Sequence, residues 1–272
     1  MLIADAQVHI WESGTPVSIH RQVSSYTKEE LLRDMDTAGV DRVLLHPPSW
    51  DPRANEVAIE AARAHPDRLA VLGFFDISKP ENRKLIAHWK EQPGMLGLRF
   101  AFLKPGEEKW LTDGTADWLW PAAEQAGLPI GLLCPNDVKA VGAIAAKHPR
   151  LKLLVDHMAR KRHTQDDASF ADLGELLALA RYPNVAVKAT GAPSYSSDPW
   201  PYRNIHKYLK QIFDAYGPHR MFWGTDVTRM PCSWRQCVTM FTEELPWLKG
   251  RDLELVMGRA LCEWVGWKLP VT

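Results

Sequence analysis

The sequence predicts an α/β fold, a single (β/α)8 TIM barrel, regular or distorted, formed by one domain over residues 1–272. Three observations carry this. Eight short apolar runs alternate with longer amphipathic segments, the rhythm of βαβ units and a parallel sheet. The 272 residues suit a closed barrel, which takes about 250. Neither GxGxxG nor GxxxxGK[ST] occurs, which removes most of the case for a doubly wound nucleotide-binding sheet.

The runs are Leu2–His9, Arg42–His46, Leu69–Phe75, Leu96–Phe102, Leu128–Cys134, Leu151–His157, Val185–Thr190 and Met221–Asp226. Each is continuous enough for a strand buried on both faces. Thr27 caps a helix that Gly39 ends, and Gly127 ends another. Further helices are predicted near 54–65, 81–92, 137–148, 168–181, 202–216 and 233–246. Basic and acidic residues number 33 each, so no net field draws the chain to nucleic acid or to an anionic membrane. Cys134, Cys232, Cys237 and Cys262 lack CxxC spacing and read as free thiols of a reducing cytoplasm. The start Met1-Leu2-Ile3-Ala4-Asp5 reads as no secretion signal, and no apolar stretch is long enough to span a membrane. A soluble cytoplasmic protein is expected, with a homo-oligomer left open.

In a barrel of this kind, chemistry gathers where strands end. Here those ends are ionisable: Asp5-Ala6-Gln7-Val8-His9, His46, Arg99, Asp156-His157, Lys188 and Gly224-Thr225-Asp226. Strand alternation places Asp5, Gln7 and His9 on one face, as an interior triplet. Asp5 reads as structural, with Lys188 as a partner across the barrel. His46 divides evenly between loop anchor and pocket wall. His20, His65, His88, His148, His206 and His219 read as surface residues. His9, His157 and Asp226 are the functional set, since three buried ionisable groups would each cost desolvation without a shared purpose.

Seven segments carry a family resemblance: Asp5–Trp11, Met35–Asp41, His65–Arg68, Gly97–Phe100, Asp156–Arg160, Phe222–Asp226 and Met257–Ala260. Together they resemble the amidohydrolase superfamily, in the amidohydrolase-2 branch that includes 2-pyrone-4,6-dicarboxylate lactonase, sugar lactonases and metal-dependent decarboxylases. The resemblance spans essentially the whole chain. It implies that His9, His157 and Asp226 occupy ligand positions of one divalent metal, zinc or manganese, in a site that can also work with none. Gln7 departs from the family's His-x-His, and a neutral amide is a poor zinc ligand.

Lactone or ester hydrolysis needs a base for water, a means of polarising the carbonyl and a clamp for the substrate. Asp226 is assigned as base, His9 and His157 as carbonyl polarisers or metal ligands, and Gln7 as an amide donor. The basic run Ala159–His163, with Arg99 and Arg229, predicts a small anionic substrate held by Arg99, Arg160 and Arg229, because guanidinium forks carboxylates. His46, Lys188 and Tyr195 complete the predicted substrate contacts. Two alternatives remain at this stage. One is a metal-dependent decarboxylase of a hydroxylated aromatic or unsaturated acid, separable by carbon dioxide release. The other is a non-catalytic binding barrel, separable by ligand stabilisation without turnover.

Overall fold

The computed structural model describes residues 1–269. Eight parallel strands pair in chain order, β1 (Ala4–Val8), β2 (Arg42–Leu45), β3 (Leu69–Gly73), β4 (Met95–Ala101), β5 (Ile130–Leu133), β6 (Leu153–Val155), β7 (Val185–Ala189) and β8 (Met221–Trp223). The sheet curls until its edges meet, where the Asp226 N–H donates to the Gln7 carbonyl at 2.7 Å. The fold is the α/β TIM barrel that the alternating runs predict.

The strand residues divide by parity into two apolar layers. Val43, Leu45, Val71, Leu98, Leu132, Val155 and Val187 face outward and pack under the helices. Leu44, Ala70, Leu72, Leu154, Ala186 and Phe222 face inward and fill the lower barrel. Leu255, Leu261 and Cys262 of the C-terminal segment pack against this inner layer and plug the barrel's base.

Strand β1 departs from simple alternation. Asp5 pairs with Val43 but Val8 pairs with Leu45, so one extra residue is accommodated on β1 as a bulge. Asp5 therefore points outward, with Val43 and Val8, while Gln7 and His9 point in. The interior triplet predicted from alternation is corrected accordingly. Asp5 accepts from Thr225 N (2.8 Å), Thr225 Oγ1 (2.5 Å), Gln7 N (3.0 Å) and Trp234 Nε1 (2.9 Å), and so ties β1 to β8 and to the helix Trp234–Thr242. Lys188 is not its partner.

The helices at Lys28–Ala38, Ala54–Ala64, Val138–Lys147, His206–Tyr216 and Trp234–Thr242 fall where the sequence places them. Thr27 and Glu30 form a reciprocal cap, and Gly39 ends the first helix in the left-handed conformation. The predicted helices at 81–92 and 168–181 are instead broken into short turns. Among the described residues, no helix is long and apolar enough to cross a membrane.

Gly224 lies where β8 crosses β1. A Cβ there would stand 2.6 Å from Ala6 N and 2.8 Å from Asp5 Oδ1, closer than backbone can relieve. Gly224→Ala is expected to lower stability by about 1–3 kcal/mol, read as a reduced urea midpoint.

Candidate active site

Above the inner apolar layer lies a polar one. Lys188, completely buried on β7, pairs with Asp156 Oδ1 at 2.6 Å, donates to Gln7 Oε1 at 2.9 Å and lies 3.2 Å from His46 Nε2. Arg99 of β4 meets the other Asp156 oxygen at 3.0 Å. Gly131 opens the space for this pair, since a Cβ there would lie 3.2 Å from Arg99 Cγ. Burial alone would raise the Asp156 carboxyl, but Lys188 and Arg99 outweigh it and hold the group well below the usual carboxylate range. Burial likewise pulls Lys188 below its ordinary value, opposed by Asp156.

This layer orients the groups above it. With its Oε1 accepting from Lys188, Gln7 turns its NH2 toward His157 Nε2 at 3.4 Å. His157 Nδ1 lies 2.7 Å from Thr190 Oγ1. A donating Gln7 amide assigns the His157 proton to Nδ1 and a lone pair to Nε2. His9 Nδ1 lies 2.5 Å from the His46 carbonyl, which only accepts, so the His9 lone pair is also on Nε2. Burial holds His9 and His157 below the ordinary histidine value, hence neutral.

Both lone pairs face Asp226. His9 Nε2 lies 3.4 Å from Oδ1 and His157 Nε2 lies 3.6 Å from Oδ2, while Arg229 Nε makes an ion-pair contact with Oδ2 at 2.9 Å. Burial would raise the Asp226 carboxyl, but the cations around it, Arg229 at 2.9 Å among them, hold it below the usual range. Its Oδ1 is buried without a hydrogen-bond donor. The backbone that presents these groups is itself unusual. His157, Met158 and Ala159 lie at φ 51°, 56° and 55°, and Asp226 at 61°, left-handed values that non-glycine residues adopt at a cost.

His20, read from sequence as a surface residue, is buried at this centre, with Nδ1 2.8 Å from Thr228 Oγ1 and 3.9 Å from Asp226 Oδ1. The irregular segment after β1 folds over the barrel mouth, where Arg21 N–H bonds the Thr228 carbonyl and Trp50 packs on the His20 ring at 4.9 Å. His148 is also buried, not surface, and stays remote from the site beside Glu124.

The chemistry of this donor set fits a divalent cation. His9, His20 and Asp226 each offer a ligand atom within 4.8 Å of the others, and the donorless Oδ1 belongs to this group. His157 lies on the other side of the carboxylate and outside that cluster.

The site opens into a cavity of ≈ 440 Å³ lined by His9, His20, His157, Asp226 and the strand-end loops. Arg99, Arg229 and Tyr195 also line it, with the Tyr195 hydroxyl 3.2 Å from Arg229 Nη2. Gln7, His46 and Lys188 lie beneath it and do not reach its surface, so the Gln7 amide serves Lys188 and His157 and not the substrate. They support the site from below and do not line it as the sequence reading supposed. Arg160 lines the cavity but is committed elsewhere: it bonds the Met158 and Ser169 carbonyls and pairs with Asp172 at 2.6 Å, leaving only Nη2 unpartnered. It is chiefly a staple of its own loop. Arg162, two residues on, reaches the cavity with no carboxylate within 4 Å among the described residues.

A family model described as amidohydrolase matches residues 4–268. The chain belongs to the amidohydrolase family. It is 22% identical over 231 residues to an L-fucono-1,5-lactonase of Burkholderia ambifaria, across 82% of this chain and 79% of that one. It is 26% identical over 216 residues to a 4-sulfomuconolactone hydrolase of Hydrogenophaga intermedia, across 75% and 68% respectively. A crystal structure of an amidohydrolase from Burkholderia multivorans with bound zinc superposes with a TM-score of 0.83 at 18% identity, covering 98% of this chain and 99% of that one. The match to the family and the barrel agree with the resemblance carried by the sequence motifs.

Lys188→Met removes the cation but leaves Asp156 buried. The expected cost is about 3–5 kcal/mol, read by urea unfolding. A loss below 1 kcal/mol would show that Arg99 alone neutralises Asp156.

Proposed function

We propose that this amidohydrolase opens the lactone ring of a small carboxylated substrate, with Asp226 taking a proton from the attacking water. The observation that carries the reading is the meeting of an ionised, cation-flanked carboxylate with two neutral imidazoles on the floor of a cationic cavity. Two curated relatives named for lactones point to the same bond type.

Each component of hydrolysis has a residue. Asp226, kept in its carboxylate form by Arg229 at 2.9 Å, accepts the proton of water. Because the alkoxide released from a lactone stays tethered to the product, the same carboxyl can return that proton to it. Gln7, donating to Nε2, holds His157 in the tautomer that carries its proton on Nδ1, so no His157 proton competes with water for Asp226. In this tautomeric arrangement neither imidazole can donate to a carbonyl oxygen. Direct donation to the developing oxyanion therefore falls to the guanidinium of Arg229, which lies against Asp226.

His9, His20 and Asp226 are proposed to hold one divalent metal, zinc or manganese, in place of the set His9, His157 and Asp226 expected from sequence. Such an ion supplies Lewis-acid polarisation of the carbonyl and lowers the pKa of bound water. Charge supports an anionic substrate. Among the residues lining the cavity five cations, Arg99, Lys104, Arg160, Arg162 and Arg229, outnumber three carboxylates, Asp76, Glu107 and Asp226. The excess favours a carboxylate on the substrate.

Asp226→Asn keeps a side chain that tolerates the left-handed backbone and removes the base together with the negative charge facing Arg229 and the proposed metal. It is expected to lower kcat for lactone hydrolysis by about 10²–10⁴ with an unchanged circular dichroism spectrum; full turnover would refute the assignment. Zinc titrated into chelator-treated protein is expected to bind in equimolar amount by calorimetry. His20→Ala should weaken that binding at least about tenfold, and equal affinity would remove His20 from the ligand set.

A further inference from the structure

The cavity has two chemically distinct walls. One carries the site described above. The other is aromatic and belongs to the ends of β3 and β4: Phe75 meets Phe100 edge-on at 5.7 Å, Phe100 stacks with Phe102 at 6.0 Å, and Phe102 meets Trp110 at 6.3 Å. Leu103 adds to this wall. Among the described residues, the uncharged hydroxyl and amide side chains lining the cavity are Ser49 and Tyr195, and neither belongs to this wall. A polyhydroxylated ring placed against this wall would lose hydration without gaining partners for its hydroxyls, at a cost of about 1–3 kcal/mol for each unsatisfied group. The volume of ≈ 440 Å³ falls within the range for drug-sized ligands of about 300–1,000 Å³.

We infer that the substrate is an anionic lactone bearing an apolar, ring-sized arm, with its carboxylate at Arg162 and its arm along Phe75, Phe100, Phe102 and Trp110. This deepens the lactonase reading and rests on it for the reaction, but the recognition itself is separable. Phe102 and Trp110 determine specificity through the arm and touch none of the reacting atoms. The outer rim, with Asp76, Lys104 and Glu107, leaves the arm's far end near water.

The test is equilibrium binding of three acids to the full-length protein, followed by intrinsic tryptophan fluorescence or calorimetry. Succinate and benzylsuccinate carry the same two carboxylates and differ by the benzyl arm, and galactonate represents a polyhydroxylated acid. Benzylsuccinate is expected to bind at least about tenfold more tightly than either of the others. That ratio should fall toward one in Phe102→Ala and in Trp110→Ala, the second residue being half-buried and safer for folding. Equal binding of succinate and benzylsuccinate, tighter binding of galactonate, or no measurable binding of any of the three would overturn the inference. So would an undiminished ratio in folded variants. Because binding is read without turnover, a benzylsuccinate preference in a protein that opens no lactone would sustain the recognition proposal and refute the reaction.

Discussion

A single ammonium group at the centre of the barrel sets the conditions for the rest of the site. Lys188 is completely buried, and an ion of its size taken into a low-dielectric interior without a partner would cost many kcal/mol. Asp156 at 2.6 Å makes the charge tolerable, and Gln7 and His46 surround it. The consequence extends upward. The ammonium fixes the Gln7 amide, Gln7 fixes the His157 tautomer, and His157 then faces Asp226 with a lone pair. Asp156 also carries Arg99, so one carboxylate serves two cations and the layer keeps an excess of positive charge.

That electrostatic frame explains why the backbone above it is tolerated in sparsely populated conformations. His157–Ala159 and Asp226 leave their strands with positive φ, turning side chains that would continue along the sheet into the cavity mouth. The Asp226 N–H bond to the Gln7 carbonyl and the four donors on Asp5 hold the β8 end in that geometry. Strain of this kind persists only where surrounding contacts over-determine it, and here the contacts that close the barrel are the same ones that place the carboxylate.

Much of this was legible in the sequence, because a parallel barrel strand buried on both faces leaves a continuous apolar run whose last residues must serve the mouth. His9, His157 and Asp226 stand out on that basis alone. The seventh apolar run located Lys188 at a strand end but not its partner, since a run gives the strand and not what lies across from it, and the β1 bulge reversed Asp5. His20 escaped notice because residues 12–25 carry no periodicity. Its burial comes from packing on Trp50 and bonding to Thr228, contacts more than two hundred residues apart for the second pair. Within the basic run, composition could not separate Arg160, absorbed by Asp172, from Arg162. The C-terminal plug was likewise hidden, because its irregular turn at Leu255–Arg259 is set by the close approach of Gly258 to Ala4 and Leu2.

The central claim is that water adds to a lactone carbonyl under the control of Asp226. The most direct measurement is hydrolysis of a carboxylated lactone in oxygen-18-labelled water, with mass spectrometry of the product and of the headspace. Attack at the carbonyl places one solvent oxygen in the newly formed carboxylate, leaves the hydroxyl oxygen unlabelled and releases no carbon dioxide. Label in the hydroxyl group, or carbon dioxide release in place of the ring-opened acid, would contradict the account.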